Sequence, residues 1–222
     1  MISSKYNKLL TIVLIIVILG IVALLVYLGI DFYHKSQETS EGEELLGQFD
    51  DYINEQRNTV STPTGSVEVP VNDVQTGTGD NNNNDDTGNL PTYNGYLVEG
   101  KMEIPKIDLE CVILEAKVDT IQIGVGRLYG PGLNEIGNNV IIGHNYRNGT
   151  LFSDNDKLEI GDKIYITDTQ NRRVEYEIYR KYITDANDFD YAERDTNGKR
   201  EISLSTCTDD VSARLILWAA EV

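Results

Sequence analysis

The stretch LSTCTDDVSAR, residues 204–214, ends one apolar run on a thiol, Cys207, and opens the next on a guanidinium, Arg214. A third reactive group, His144, closes the run VIIG in the segment NNVIIGHN. Acyl transfer uses these three types. A thiol of pKa about 8.5 is only a few per cent thiolate at neutral pH. A neighbouring imidazolium or guanidinium favours the anion, and each tenfold gain in thiolate corresponds to about 1.36 kcal/mol. The thiolate attacks a carbonyl, and the imidazolium protonates the departing amine. A fixed cation such as Arg214 stabilises the oxyanion. The thioester that results is resolved by water or by an amine.

Strands must position these groups. From Tyr96 onward the sequence breaks into short alternating runs: YLVEGKMEIPKIDLECVILEAKV, NNVII, DKIYITD, RRVEYEIYRKYIT, KREISLST and ARLILWAA. Gly, Asn and Asp turns separate them. That pattern predicts an all-β closed barrel or sandwich over residues 96–222, a common size for one domain. His144, Cys207 and Arg214 all fall at run ends, where strands hand over to loops that present reactive groups. Trp218, inside the last run, is expected in the core or in a groove wall.

The N-terminal third has a different purpose. LLTIVLIIVILGIVALLVYLGI, residues 9–30, carries no charge. At 1.5 Å per residue its helix would span about 33 Å, enough to cross a bilayer core. A cleaved signal peptide has a shorter apolar stretch and a small-residue site, whereas bulky Leu25, Tyr27 and Leu28 fill the end of this one. Lys5 and Lys8 precede it and acidic residues follow, which places residues 1–8 in the cytoplasm and the remainder outside. His34, just past the span, reads as an interfacial side chain. Residues 31–57 are juxtamembrane. Within them EELLGQFDDYINEQ, Glu43 to Gln56, spaces Leu45, Leu46, Phe49, Tyr52 and Ile53 as one helical face. That helix is expected beside the membrane or docked on the domain. Residues 58–95 read as a disordered linker without Lys or Arg and with too few apolar residues to offset ordering.

The formal net charge of −17 and pI near 4.4 oppose binding to nucleic acid or anionic headgroups. The two cysteines leave an alternative open. In an extracytoplasmic domain Cys111 and Cys207 could form a disulfide. Closing that loop would add about 4–5 kcal/mol in the chain-entropy model. The chain would then be a tethered binding or adhesion β-domain. Against this, Cys111 sits within the alternating run DLECVILE as a small strand residue.

The segments LSTCTDDVSAR, VIIGHNYRNGTLFSD and MEIPKIDLECVILE together resemble the sortase family, over roughly residues 96–222 and in the order His, Cys, Arg. The resemblance implies an eight-stranded β-barrel. It also implies cleavage of a Leu-Pro-x-Thr-Gly-type sorting signal between Thr and Gly, with transfer to an amine of a peptidoglycan precursor or a pilin lysine. Cys207 would be the nucleophile, His144 the general acid and base, and Arg214 the stabiliser of substrate or oxyanion. Thr206 and Asn145 would assist at the substrate or oxyanion site, and Arg147 reads equally as a turn residue. GHNYRNG looks closest to the class B and class D neighbourhood.

No cofactor is expected. The carboxylates of DANDFDYAERD, Asp185 to Asp195, resemble a calcium loop of some sortases, with a solvated acidic face as the other reading. NLPTY, Asn89 to Tyr93, looks like half a sorting signal and reads as linker or as a lid in the enzyme's own groove. L,D-transpeptidases are set aside because they have His two residues before Cys. Papain-like hydrolases are set aside because their Cys precedes the His.

Overall fold

A computed structural model describes residues 4–60 and 90–222. The chain divides into two compact units, Met1–Glu41 and Gly42–Val222. A helix, α1, covers Ser4–Val60. In the first unit it contains Leu10–Ile30, with mean hydropathy 3.2 and no part of that window buried. Its length and apolarity suffice to cross a membrane. Most of the expected linker, residues 61–89, and the side chain of His34 lie outside the described residues.

The second unit is a barrel built from period-two strands. β2 (Tyr96–Ile104) shows the rule: Val98, Gly100, Met102 and Ile104 are buried and the residues between them are not. The others are β3 (Leu109–Glu115), β4 (Val125–Tyr129), β5 (Gly137–Ile142), β6 (Lys163–Asp168), β7 (Arg173–Asp185), β8 (Arg200–Cys207) and β9 (Ala213–Glu221). Their order is β2-β3-β4-β5-β8-β9-β7-β6, and pairing of β6 with β2 closes the ring. This is the expected eight-stranded barrel. Closure leaves no edge among these eight strands. Met102, Ile104, Ile113, Ile141, Ile164, Ile166 and Ile178 fill the interior with no exposure.

All pairings are antiparallel except two, β3 with β4 and β5 with β8. A parallel pair needs a crossover connection. Between β3 and β4 it carries the short helix α2 (Thr120–Ile123). Between β5 and β8 it is the whole of residues 143–199, which contain β6 and β7.

Two boundaries differ from the sequence expectation. α1 runs to Val60, and a two-residue strand, β1 (Thr92–Tyr93), lies ahead of Tyr96, paired antiparallel on β2. Val98 N donates to Pro91 O at 3.0 Å. Asn94 and Gly95, both at positive φ, make the two-residue turn of a tight hairpin, so a run too short to read as a strand by itself pairs with its immediate neighbour.

The amphipathic stretch Glu43–Gln56 is the docked end of α1. Leu45, Phe49 and Ile53, four residues apart, are buried against Val98, Val112, Leu114 and Ile123. A Cβ on Gly42 would lie 2.2 Å from Ile123 O, so the glycine permits this approach. Gln56 Nε2 donates to Thr169 O at 3.2 Å, and Lys101 pairs with Asp50 at 2.7 Å. Phe49 has no exposure. Phe49→Ala is therefore expected to lower stability by about 3–5 kcal/mol. Urea unfolding followed by Trp218, the chain's one tryptophan, measures it, and a loss below about 1 kcal/mol would mean that the helix adds little to the barrel.

Candidate active site

The parallel register of β5 and β8 brings the first two groups together. Its last pair is Ile142 with Ser205. Beyond it Gly143 N donates to Ser205 O at 3.3 Å, and Thr206 Oγ1 donates to Gly143 O at 2.8 Å. The bonds from Thr206 to Gly143 and from Asn145 to Cys207 O lie on either side of His144 and hold its segment beside Cys207. A Cβ on Gly143 would meet the Phe152 ring at 2.7 Å, so glycine keeps the His segment close to the barrel.

The antiparallel register of β8 and β9 supplies the third. Cys207 and Arg214 are direct cross-strand partners, which puts their side chains on one face. The hairpin between them is held by its own side chains. Asp210 accepts from Thr208 Oγ1 at 2.6 Å, Ser212 Oγ at 2.8 Å and Ser212 N at 3.1 Å. These bonds, the one from Thr208 foremost, lower the Asp210 pKa to about 2. Val211 adopts φ 56°, a costly left-handed conformation for a β-branched residue. Arg214 is half-buried, donates to Ala213 O, and forms no ion pair among the described residues. Its charge is thus available to a ligand.

The His segment is clamped to the Cys segment a second time. Asn145 Nδ2 donates to Cys207 O at 3.1 Å and to Asp209 Oδ1 at 2.9 Å. Asn145 Oδ1 accepts from Arg147 N at 3.0 Å. Phe152 N donates to His144 O at 3.1 Å. The Tyr146 ring stacks on the His144 ring, centroids 4.9 Å apart. His144, Cys207 and Arg214 therefore meet at one end of the barrel. Asn145 and Thr206 are there too, but their amide and hydroxyl donors are engaged by protein carbonyls and a carboxylate.

Cys207 opens on a cleft of about 1150 Å³. Phe152, Leu158, Tyr182, Ile183 and Leu215 give it an apolar lining, and Asp156, Glu159, Asp209 and Asp210 an acidic one. An apolar cleft with a few convergent polar groups is where a ligand binds.

The disulfide alternative fails on geometry. Both cysteines are free, Cys111 buried and Cys207 half-buried. Two strands, β4 and β5, separate β3 from β8 around the ring. Cysteines three strand spacings apart, about 14 Å, cannot bridge. Burial pushes the Cys111 thiol up to about 12, so it stays protonated.

The fold also shows where NLPTY, Trp218 and the acidic loop lie. Leu90–Tyr93 of NLPTY lies along β2 and is absent from the cleft lining, so those residues form no lid over Cys207. Trp218 packs with Val140, Tyr191 and Ile216 in a second cluster, apart from the barrel interior and the cleft. In the loop 186–199, Asp185 accepts from Asn187 N, Asp188 from Asp190 N and Thr184, and Asp195 from Asn197 N. Among the described residues no group of three or more His, Cys, Asp or Glu side chains is gathered to hold a metal ion.

Sequence reasoning missed what fixes that loop. Tyr191 is buried and its hydroxyl contacts Ser205 Oγ at 3.3 Å. Asn138 Nδ2 donates to Tyr191 O and Ala192 O, both at 3.0 Å. Arg194 pairs with Glu201 on β8, and its guanidinium lies 4.4 Å over the Trp218 ring. The usable signal was one Arg and one Tyr in an otherwise acidic loop.

The barrel and its cysteine cleft define a β-barrel thiol acyl-transfer site. A sequence profile of the Sortase domain matches residues 102–222, just over half the chain. The chain belongs to the sortase family, a family of cysteine transpeptidases. It is 32% identical over 124 residues to sortase A of Bacillus anthracis, a match covering 54% of this chain and 58% of that protein. The chain thus spans a little over half the length of that relative. Sortase C-1 of Actinomyces oris is 25% identical with TM-score 0.51, over 55% of this chain and 72% of that one. Sortase C1 of Streptococcus suis is 27% identical with TM-score 0.51, over 56% and 73%. The Clostridium perfringens sortase D5 transpeptidase shares the fold at 22% identity, with TM-score 0.59 over 83% of this chain and 99% of that one. These relatives bear class A, C and D names, and the likeness places the chain in the family without selecting a class.

The two thiols should separate chemically. In the native full chain an alkylating reagent is expected to modify Cys207 alone, and after unfolding without reductant to modify both. Rapid native labelling of Cys111, or no labelling after unfolding, would contradict the free-thiol geometry.

Proposed function

We propose that this chain is a membrane-anchored transpeptidase that cleaves a Leu-Pro-x-Thr-Gly-type sorting signal on surface proteins. The acyl group passes to an amine of a peptidoglycan precursor or a pilin lysine. The observation that carries the reading is Cys207 on the wall of an apolar cleft, with Arg214 as its cross-strand partner and the His144 segment tied to the neighbouring chain. Leu10–Ile30 is the anchor, with Lys5 and Lys8 on the cytoplasmic side and the barrel outside.

The Cys207 thiolate attacks the carbonyl carbon of the Thr–Gly bond, and electrons move to the carbonyl oxygen. Arg214, without an ion-pair partner among the described residues and directly across the ladder from Cys207, holds that developing charge. The tetrahedral species collapses, the C–N bond breaks, and the His144 imidazolium gives its proton to the leaving amine. His144, now neutral, takes a proton from the incoming amine as that amine attacks the thioester. Thr206 and Asn145 act as positioning residues in this scheme. Thr206 Oγ1 fixes the Gly143 carbonyl, and Asn145 ties the His segment to Cys207 O and Asp209. Each proton and electron pair in the scheme is carried by these side chains and the substrate, so it calls on no cofactor.

The test uses the full chain in detergent with a quenched sorting peptide and an amine acceptor. Cys207→Ala should abolish turnover and His144→Ala nearly so. Arg214→Ala should lower kcat by about 10²–10³-fold, as loss of an oxyanion donor does. Asn145→Ala should lower kcat by up to about 10²-fold with little change in KM, the mark of misplaced groups. Turnover by folded Cys207→Ala at the parent rate would overturn the reading.

A further inference from the structure

The cleft beside Cys207 is lined by acidic as well as apolar side chains. Four carboxylates, Asp156, Glu159, Asp209 and Asp210, face one ammonium, Lys181. They are not equivalent. Asp209 accepts from Asn145, and Asp210 from Thr208 and Ser212, so both are engaged in the hairpin that joins Cys207 to Arg214. Lys181 Nζ donates to the backbone carbonyls of Asp156 and Leu158 at 2.6 and 2.8 Å. Nearby Lys157 is paired with Asp154. The carboxylates of Asp156 and Glu159 are exposed, accept no hydrogen bond and form no ion pair among the described residues. They flank Leu158 and adjoin Ile160, itself 68% exposed on the same wall.

We propose that Asp156 and Glu159 are specificity-determining residues that select an acyl-donor peptide carrying a Lys or Arg side chain next to its apolar residues. The inference deepens the transpeptidase reading and rests on it for the identity of the groove's occupant. The cleft offers the exposed Ile160 together with two uncommitted carboxylates, over the buried Leu158. The molecule that fits it presents apolar and cationic side chains side by side on one chain, which favours the peptide donor over the amine acceptor. Low-dielectric walls strengthen the attraction, and a cleft of one sign raises the local concentration of the opposite charge.

The experiment uses the full chain in neutral-detergent micelles. Two sets of sorting peptides carry Lys, Gln or Glu, one set at the variable position and one just before the Leu. The ratio of kcat/KM for Lys over Glu should reach about tenfold in at least one set at low ionic strength. It should shrink as added salt shortens the screening length from about 30 Å to a few Å. In Asp156→Asn/Glu159→Gln the ratio should collapse toward one. A ratio near one in both sets for the parent protein, or a ratio undiminished in the double variant, would overturn the proposal. Anisotropy of the same labelled peptides on Cys207→Ala protein separates the two readings. Lys-preferring binding with no turnover by the parent supports the charge selection and sinks the transpeptidase reading. Turnover without charge preference does the reverse.

Discussion

The parallel pairing of β5 with β8 is the constraint on which the site depends. Six consecutive rungs, from Gly137 with Arg200 to Ile142 with Ser205, set the register. A slip of one residue would turn every inward side chain outward, so the interior Ile141, Ile202 and Leu204 enforce it. With that register fixed, the segment after β5 has to bring His144 alongside Cys207. The antiparallel rung to β9 then brings in Arg214 from the other side. His144, distant in sequence, joins the Cys207–Arg214 hairpin because strand ends in a closed barrel are set by the interior packing.

The polar contacts around the site refine what the ladder places. Thr206 and Asn145 each bond to backbone on the opposite segment, once before and once beyond the reactive pair. The Asp210 carboxylate gathers the hairpin, and Phe152 supports the Gly143 bend from beneath. On the barrel's outer side, Tyr191 and Arg194 bind the loop that leads into β8. Side chains locked by neighbours of this kind hold a reacting geometry more tightly than exposed loops do. The docked end of α1 closes the other side of the sheet over Val98, Val112 and Leu114.

Much of this was readable from the residues. Period-two alternation gave the strands, and run ends gave His144, Cys207 and Arg214. Helical spacing gave the face of Leu45, Phe49 and Ile53, though not the strands it covers. Most of what was hidden depends on pairings between distant segments. Thr92 and Tyr93 are the exception, since the Asn94-Gly95 turn that pairs them with β2 is a local hairpin signal inside a stretch read as linker. Trp218 alternates like any strand residue, and the pattern alone does not say that Arg180 and Arg194 cover its ring. Asn145 and Thr206 looked like substrate contacts because polar residues beside a nucleophile usually face the ligand. Their hydrogen bonds instead run across the β5–β8 junction. Cys111 as a disulfide partner was excluded only once the ring order was known.

The most direct measurement is the mass of the full chain quenched in acid during turnover of a sorting peptide. The account predicts an acyl adduct on the peptide fragment containing Cys207, lost on adding an amine acceptor and absent in Cys207→Ala. Cleavage of the peptide without any adduct on Cys207, or with the adduct elsewhere, would contradict the central assignment.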